Sequence, residues 1–495
     1  MHTDNDSIWN LTEMIEWQAR RHPAAPAIIL RDRIITHREL FDAVHAIARK
    51  LLDSGIKPGQ AIGMSILQTP LHLSALLAIA RIGAISVPAP PGLSEQQRLQ
   101  IARQFNVQTL VSGRAEFQLK ELPFIDLGQL NLTAPTTPLA PSGSSPDDPC
   151  RIAISSGTSG GEPKGVMYTH GYLRDLIREM SRVTPPPPYS RLMPMDLNFS
   201  AGFVNALWIL SEAGAVVLGN SNSPGDMAYM VRSHAVTHWV LSPGMAGEVA
   251  KMLVDADIHF PSLTHLRILG ATPGKRLLDT LFTRFSRNVF ECYGCSEIGD
   301  VSMATPEILR STPTSAGRIL PWLTAEIVDN DNRPLTAGTS GRLRIKARGR
   351  IMTDGYFGAP DLTTERFRDG WYYPRDRARI DADGLLYIEG REDDVINIGG
   401  QKIYPQDIEC VLQSHPAVRE AAVFALCDAT EDGVLAAAFT PTMPISVGEL
   451  HTWAQSQLGA LCPRQLFQVN DFPRTATGKI KRDELLFRIE ASQAS

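Results

Sequence analysis

The sequence predicts an α/β protein with a largely parallel sheet, a β-rich part and a small C-terminal domain. Each of these three parts follows from a different pattern along the chain. Over residues 10–120, apolar residues at helical spacing alternate with short apolar runs, as in alternating helices and buried strands. From about 316 to 390 short strands with frequent glycines follow, so we expect a β-rich part there. After Asp393 the chain reads as strand, turn, helix and strand, which predicts a small α+β domain.

The individual elements follow from local patterns. Leu40 to Leu52 has the spacing of an amphipathic helix, and Ala61 to Ile66 reads as a buried strand. Leu71 to Ile82 is apolar enough for a core helix, and a strand is expected at Ala84 to Val87. Pro405 opens another helix, because proline is well tolerated in a first helical turn.

These elements divide into two predicted domains. We expect a large domain over residues 1–392, which includes the β-rich part, and a small C-terminal domain over residues 393–495. Residues 133–149 are rich in Pro, Ser and Thr and are expected to form a loop.

Composition narrows the functional classes. A chain of 495 residues has room for two or three domains, and its 43% hydrophobic and 20% charged residues are ordinary for a globular protein. The net charge of −5 gives no general attraction to nucleic acid. No apolar run is long enough for a membrane span, and six cysteines suit a reducing compartment, so we expect a cytoplasmic protein.

One segment carries most of the chemical information. Residues Ile154 to Gly165 read ISSGTSGGEPKG, so small hydroxyl residues and glycines precede a lysine. Short side chains let backbone N–H groups approach an anion, which suits a clamp over a polyphosphate between two strands. A flexible Ser/Gly turn is the competing interpretation of this composition alone.

Four further segments combine polar groups that can bind a nucleotide, although each has a simpler structural interpretation. Glu291 to Glu297 (ECYGCSE) joins an aromatic ring to carboxylates, and 370–376 (GWYYPRD) ends on a carboxylate. Residues 390–402 are rich in glycine and charge, and 473–480 (PRTATGKI) carries a lysine on a turn. In the same order, the simpler interpretations of the four segments are a capped strand end, an aromatic turn, a solvated loop and a solvated lysine.

Cys292 and Cys295 form a C-x-x-C pair, for which a redox or zinc half-site must be weighed. No second pair and no histidine cluster lies nearby in the sequence, so packing is the favoured interpretation.

In this order the five segments resemble the adenylate-forming superfamily of acyl-CoA synthetases, stand-alone adenylation domains and firefly luciferase. The resemblance covers nearly the whole chain, because 35–40 (ITHREL) and 81–88 (RIGAISVP) also resemble elements of that family. It implies a large nucleotide-binding domain and a small mobile C-terminal lid.

The resemblance implies roles for individual residues. ATP phosphates would lie on the glycine-rich segment, adenine on Tyr293, and the ribose hydroxyls on Asp376 and Arg391. Glu297 would bind Mg²⁺. The remaining residues expected to contact ATP are Ser155, Ser156, Gly157, Thr158, Ser159, Gly160, Lys164, Glu291, Ser296 and Lys402.

Catalysis would rest on Lys479, Glu297 and Thr158. A carboxylate must attack an anionic α-phosphate, and Lys479 with Mg²⁺ would offset the repulsion between them. We therefore expect Lys479→Ala to lower adenylation by orders of magnitude and to leave the second step largely intact. Asp393 matches the hinge of the small domain.

Two positions depart from the family pattern. Arg375 replaces a glycine beside the ribose carboxylate, which adds bulk and charge there. Paired glycines expected in the wall of the acyl pocket are reduced to one, at Gly270 before Ala271.

The acid is predicted from the segment 195–207, which resembles that of benzoate-type and hydroxybenzoate-activating ligases. Asn198 stands where α-amino acid enzymes carry an aspartate, and a neutral amide cannot neutralise a buried ammonium. Because Asp196 is close in sequence, an α-amino acid substrate stays an alternative. We expect an aromatic or other cyclic acid, bound by Asn198, Phe199, Gly202, Phe203, Gly270 and Ala271.

The acceptor is expected to be a thiol. Gly399 and Gly400 would leave room for a pantetheine arm of CoA or of a separate carrier protein. An amine acceptor, as in amide-forming ligases, is an alternative, because acyl-AMP reacts with any well-placed nucleophile. A further alternative is a non-catalytic member of the superfamily that binds the acyl-adenylate without turnover.

Overall fold

The computed structural model describes most of the chain, and the positions below refer to those residues only. The described ranges are 10–132, 136–155, 163–220, 223–253, 259–398, 401–426, 434–474 and 480–493.

Helices and strands alternate in the first half, as the apolar patterns predict. The helices are α1 Thr12–Arg21, α2 His37–Asp53, α3 Pro70–Arg81, α4 Glu95–Gln104, α5 His170–Val183, α6 Ser200–Ser211, α7 Pro224–Ser233, α8 Pro243–Met252, α9 Lys275–Thr280, α10 Pro306–Ser311, α11 Pro360–Arg366, α12 Pro405–Ser414, α13 Val447–Leu458 and α14 Arg482–Gln493.

A six-stranded sheet carries the glycine-rich segment. In spatial order its strands are β6 (Phe124–Asp126), β5 (Thr109–Ser112), β3 (Ala61–Met64), β4 (Ile85–Pro88), β7 (Pro149–Ser155) and β8 (Lys164–Thr169). Neighbouring strands are parallel up to the last pair, in which β8 runs antiparallel to β7.

A second sheet of fifteen described strands carries the other nucleotide-site candidates. Its parallel part comprises β1 Pro26–Ile29, β9 Arg191–Met193, β10 Ala215–Val217, β11 His238–Leu241, β12 His265–Leu269 and β13 Val289–Cys295, and β2 Ile34–Thr36 closes one edge. The antiparallel part comprises β14 Gly299–Ala304, β15 Gly317–Ile319, β16 Leu323–Val328, β17 Gly341–Ala347, β18 Phe367–Arg368, β19 Trp371–Tyr372, β20 Asp376–Ile380 and β21 Leu385–Arg391. The β-rich part predicted from the glycine pattern is therefore continuous with the parallel sheet through the β13–β14 pair.

The C-terminal residues form smaller sheets with their own core. The strands are β22 Ile396–Ile398, β23 Gln401–Ile403, β24 Val418–Leu426, β25 Val434–Pro441 and β26 Gln465–Gln468. Buried residues Ile408, Leu412 and Phe439 belong to a cluster made only of residues after 395. The α/β fold class with a small α+β C-terminal part is confirmed, whereas the domain boundary near Asp393 stays a prediction.

Local signals place the helix starts. The Thr36 side chain accepts a hydrogen bond from the Glu39 backbone, and the Glu39 carboxylate accepts one from Thr36 in return, so this capping box starts α2. Pro70 and Pro405 lie in the first turns of α3 and α12. Backbone N–H groups there have no acceptor within the helix, so the missing N–H of proline costs no hydrogen bond.

The largest core cluster joins the two major sheets. It includes Leu40 of α2, Leu76 of α3 and Trp208 of α6, all nearly inaccessible to solvent, with strand residues from both sheets. None of the described helices is long and apolar enough to cross a membrane.

Candidate active site

The strands on either side of the glycine-rich segment are paired at its base. Ser155 ends β7 and lies opposite Lys164, the first residue of β8, so the segment joins two strands as predicted. Both residues are half-buried. The intervening predicted ligands Ser156, Gly157, Thr158, Ser159 and Gly160 lie outside the described residues.

Three predicted nucleotide ligands meet although they come from different strands. The Tyr293 hydroxyl of β13 donates a hydrogen bond to the Asp376 carboxylate at the start of β20. Arg391 ends β21 directly opposite Asp376, and its Nη1 lies 3.5 Å from Asp376 Oδ1. Burial, together with the Asp376 charge, holds the pKa of Tyr293 well above its usual value, so the phenol keeps its proton.

Glu297 is held by a residue that the sequence patterns did not single out. Tyr356 donates a hydrogen bond of 2.7 Å to Glu297 Oε1, and burial and the Glu297 charge raise the pKa of Tyr356. The Tyr356 backbone also bridges Val166 of β8. Tyr356 therefore ties Glu297 to the strand that follows the glycine-rich segment. No spacing pattern joins two residues so far apart in the chain.

A magnesium ion fits the donors at this place. Glu297 is only 7% exposed, and one of its oxygens accepts from Tyr356, which orients the carboxylate. Within the described ranges no group of three or more His, Cys, Asp or Glu side chains converges to hold a metal. Mg²⁺ in nucleotide sites is commonly bound by one or two carboxylates together with phosphate oxygens and waters, so a single carboxylate suffices as the protein's share.

Ser296 has a polar neighbour at the start of α6. Its hydroxyl lies 3.1 Å from the Ser200 hydroxyl, and its carbonyl accepts a hydrogen bond of 3.4 Å from the Tyr172 hydroxyl. These contacts connect the turn after β13, which bears Glu297, to the start of α6, which forms part of the predicted acid-binding segment.

Arg375 takes the backbone conformation for which a glycine is usually needed. Its φ is +64°, in the left-handed region, and its carbonyl accepts a hydrogen bond of 2.8 Å from Glu392 N. The guanidinium points to carboxylates, with Nη1 3.7 Å from Glu365 and Nε 3.9 Å from Glu392. The added charge is therefore directed to acidic neighbours, and Asp376 keeps its place in the ladder.

The predicted acid-binding segment begins with a tight turn and continues into α6. The backbone N–H of Asn198 and its Nδ2 both donate to Asp196 Oδ1 at 2.8 Å. Facing a carboxylate, the amide must present its nitrogen, so Asn198 Oδ1 points the other way. That oxygen is buried and has no hydrogen-bond partner among the described residues.

A buried arginine supports this turn. Arg151 is 1% exposed, and its Nη2 donates to the carbonyls of Leu197 at 3.1 Å and Asn198 at 3.0 Å. Its guanidinium lies over the Phe203 ring, 4.5 Å from the centroid. Burial lowers the pKa of Arg151 to about 10, which still leaves it charged at neutral pH. Phe203 thus packs in the core beneath a cation, while Phe199 is half-buried.

Two glycines near the pocket have different structural roles. A methyl group on Gly202 would lie 2.2 Å from the Asp196 carbonyl oxygen, so the turn packs directly against the helix. Gly270 has a φ of +97°, which favours glycine, and it is exposed together with Ala271 in the loop after β12.

Glu291 lies deeper than the other candidates. It is 3% exposed on β13, and burial raises the pKa of its carboxyl to about 8, against the opposing effect of the Thr272 hydroxyl. An environment of this kind favours a neutral carboxylic acid at physiological pH.

The remaining predicted residues belong to the C-terminal part of the chain. Lys479, Gly399 and Gly400 lie outside the described residues, as do the side chains of Asp393 and Lys402. Their roles stay predictions.

The C-x-x-C pair consists of free thiols on one strand. Cys292 faces the ion pair between Arg267 and Asp300, and burial raises the pKa of its thiol to about 11. A buried, protonated thiol is unreactive, in keeping with the packing interpretation.

Comparison with known proteins identifies the family. A profile of the AMP-binding enzymes matches residues 15–357, and a profile of the C-terminal domain of AMP-binding enzymes matches residues 407–479. The chain belongs to the AMP-binding enzyme family. The predicted resemblance to the adenylate-forming enzymes is confirmed.

Similar proteins include enzymes that act on aromatic acids. The 4-chlorobenzoate–CoA ligase of an Arthrobacter species is 27% identical over 496 residues, which cover 96% of this chain and 94% of that enzyme. The 3-hydroxybenzoate–CoA/4-hydroxybenzoate–CoA ligase of Thauera aromatica is 29% identical, with 94% of each chain covered. The o-succinylbenzoate CoA synthetase of Bacillus subtilis, solved with its acyl-adenylate intermediate, has a TM-score of 0.85 at 24% identity over 95% of this chain and 97% of its own, which shows a shared fold.

Proposed function

We propose that this protein uses ATP and Mg²⁺ to activate an aromatic carboxylic acid and transfers the acyl group to CoA. The main support for ATP binding is the contact among the side chains of Tyr293, Asp376 and Arg391, which come from three strands. A phenol, a carboxylate and a guanidinium in contact provide a flat ring for a base and charged acceptors and donors for a ribose diol.

The chemistry requires positioning and charge neutralisation more than acid–base catalysis. An acid carboxylate attacks the α-phosphorus, and pyrophosphate leaves with the electrons of the broken P–O bond. Glu297, oriented by Tyr356, would supply the protein's oxygen ligand to a Mg²⁺ ion. The charge of that ion would offset the negative charge of the phosphates. By the family resemblance, Lys479 would place a positive charge beside the attacking carboxylate and the α-phosphate.

The free oxygen of Asn198 supports an acid that carries a hydrogen-bond donor. A buried acceptor without a partner costs free energy, and a ring hydroxyl or amino group would satisfy it. An α-amino acid is disfavoured, because the neutral amide of Asn198 cannot neutralise a buried ammonium group. The similarity to benzoate-type and hydroxybenzoate-type CoA ligases points to the same class of acid and to CoA as acceptor.

Acid-dependent ATP–pyrophosphate exchange tests the first step. The panel contains benzoate, its hydroxy and amino derivatives, the matching methoxy compounds, a fatty acid and an α-amino acid. We expect exchange with the hydroxy or amino benzoates and much less with the methoxy compounds, which only accept hydrogen bonds. Asn198→Leu should remove that preference while benzoate is still activated. Exchange restricted to α-amino or fatty acids would refute the aromatic assignment.

The acceptor is tested by incubating the preferred acid and ATP with CoA, with a phosphopantetheinylated carrier protein or with simple amines. CoA thioester as the main product is the expected result. Acylation of the carrier protein or amide formation, without CoA thioester, would replace CoA as acceptor. Lys479→Ala should lower exchange by orders of magnitude yet convert supplied acyl-AMP and CoA to thioester at nearly the parent rate.

A further inference from the structure

A small cavity lies between helices α5 and α6 and strands β12 to β14. Its volume is about 20 Å³, enough for one group of the size of a water molecule. Large apolar side chains form much of its wall, among them Met180 of α5, Trp208 of α6 and Trp322. The charged part of the wall is the ion pair between Arg267 of β12 and Asp300 of β14.

The Asp300 carboxylate uses only one of its two oxygens within the described part of the chain. Arg267 Nη2 donates to Asp300 Oδ2, and Arg267 Nη1 donates to Asn205 Oδ1 at 2.6 Å. The Asp300 side chain is 19% exposed and that of Arg267 only 9%, so the aspartate keeps accessible surface where it lines the cavity. Because both oxygens of a carboxylate accept hydrogen bonds, Oδ1 is available to a donor in the cavity.

One face of α6 leads from the acid-binding turn to this cavity. Ala201, Asn205 and Trp208 are spaced four and three residues apart, so they lie on one side of the helix. Asn205, which is bonded to Arg267, lies about 6 Å along the helix axis from Ala201, and Trp208 lies about 10 Å from it. A benzoic acid with a group opposite its carboxyl spans a similar length.

The strand side leads to the same place. The Ser296 hydroxyl lies 3.1 Å from the Ser200 hydroxyl at the start of α6, and Asp300 follows four residues later on β14. The ion pair therefore borders the same helix face from the sheet, beyond the residues predicted to hold the reacting end of the acid.

We propose that Asp300 determines which aromatic acid is activated: the acid carries a hydroxyl or aromatic amino group opposite its carboxyl, and this group donates a hydrogen bond to Asp300 Oδ1. The assignment rests on the proposed activation of an aromatic acid, and it adds a second contact to the one proposed for Asn198. Since Arg267 already balances the charge of Asp300, a neutral donor is favoured over an ammonium group, and a carboxylate would be repelled. The volume of the cavity leaves no room for a larger substituent.

ATP–pyrophosphate exchange with para-substituted benzoates tests the assignment. In the parent protein, kcat/KM for 4-hydroxybenzoate and for 4-aminobenzoate should each exceed that for 4-methylbenzoate by about tenfold or more, because the methyl group fills the same space without donating to the carboxylate. Unsubstituted benzoate, measured on the same preparation, is the reference for every variant. A loss of folded protein then cancels in the ratio of the two kcat/KM values.

Asp300→Asn should separate the two donor groups. Arg267 only donates, so the new amide must turn its oxygen to the guanidinium and its Nδ2 to the cavity. The 4-amino group would then face another donor, and its advantage over benzoate should fall by about tenfold or more. A 4-hydroxyl group also accepts hydrogen bonds, so its advantage should stay within about threefold of the parent's.

Two further variants complete the test. Asp300→Glu keeps a negative charge for Arg267 but places an additional methylene in the cavity, so it should lower kcat/KM for both para-substituted acids relative to benzoate. Asp331→Asn is the matched control, because Asp331 also pairs with an arginine but is exposed in the turn after β16, and it should leave every ratio unchanged.

The possible failures are distinguishable. Equal kcat/KM for 4-methylbenzoate and 4-hydroxybenzoate in the parent, or ratios that neither Asp300 variant changes, would overturn the role of Asp300 and leave the activation of aromatic acids standing. The first of these measurements needs no variant. Absence of exchange with every benzoate would overturn the proposed function itself.

Discussion

Replacement of Gly202 by alanine is expected to disturb the acid-binding turn selectively. Gly202 lies in the first turn of α6, and an added methyl would be 2.2 Å from the carbonyl oxygen of Asp196 and 2.5 Å from that of Met195. Both obstacles are backbone atoms, so no side-chain rotation can relieve the overlap. The turn that carries Asn198 must therefore move by roughly 1 Å.

The expected magnitude follows from two opposing effects. Overpacking of a well-packed core costs about 1–3 kcal/mol, whereas alanine in place of glycine in a helix gains at most about 1 kcal/mol. A net loss of about 1–2 kcal/mol remains. For a chain of this size that corresponds to a fall in Tm of roughly 1–2 °C. Displacement of Asn198 should raise KM for the aromatic acid by about tenfold, equivalent to about 1.4 kcal/mol, with KM for ATP nearly unchanged.

Gly247→Ala is the matched control. Gly247 lies inside α8, and no atom lies within 4 Å of the position that its methyl would occupy, so the substitution should stabilise the helix by about 0.5–1 kcal/mol. Thermal unfolding and exchange kinetics of both variants decide the matter. A Gly202→Ala protein with the parent's Tm and acid KM would refute the packing account of this turn.

Three further substitutions probe separate features. Tyr356→Phe removes the 2.7 Å hydrogen bond to Glu297 and should raise the Mg²⁺ concentration for half-maximal exchange by about tenfold or more, and an unchanged Mg²⁺ titration would contradict this. Arg267→Met leaves the largely buried Asp300 without its cation and should lower the free energy of unfolding in urea by about 3–5 kcal/mol. Adding Asp300→Asn should recover part of that loss, and no recovery would argue against the ion pair as the cause. Arg375→Gly relieves a left-handed φ of +64° but loses two partly exposed ion pairs, so the free energy of unfolding should change by less than about 1 kcal/mol. Arg375→Val should be clearly less stable than the parent and than Arg375→Gly, because valine tolerates that φ poorly.

Local patterns predicted the helices and strands well because their causes are short-range. Thr36 and Glu39 are three residues apart and form their capping box within one helical turn. The apolar run of α3 and the alternation of helices and strands likewise report burial directly along the chain. The β-rich part was predicted as a region, but its continuity with the parallel sheet depends on the β13–β14 pairing, which no local pattern specifies.

The sequence alone determined the fold class, the adenylate-forming chemistry and the strand ends that carry Tyr293, Asp376 and Arg391, since each depends on short motifs in a preserved order. Tertiary structure decided how those groups are supported. It brought Tyr356 to Glu297 and Arg151 beneath the turn of Asn198, and it buried Glu291 within the sheet. Contacts of this kind are set by sheet register and helix packing between distant segments, and the protonation and orientation of a side chain depend on what those contacts exclude or supply.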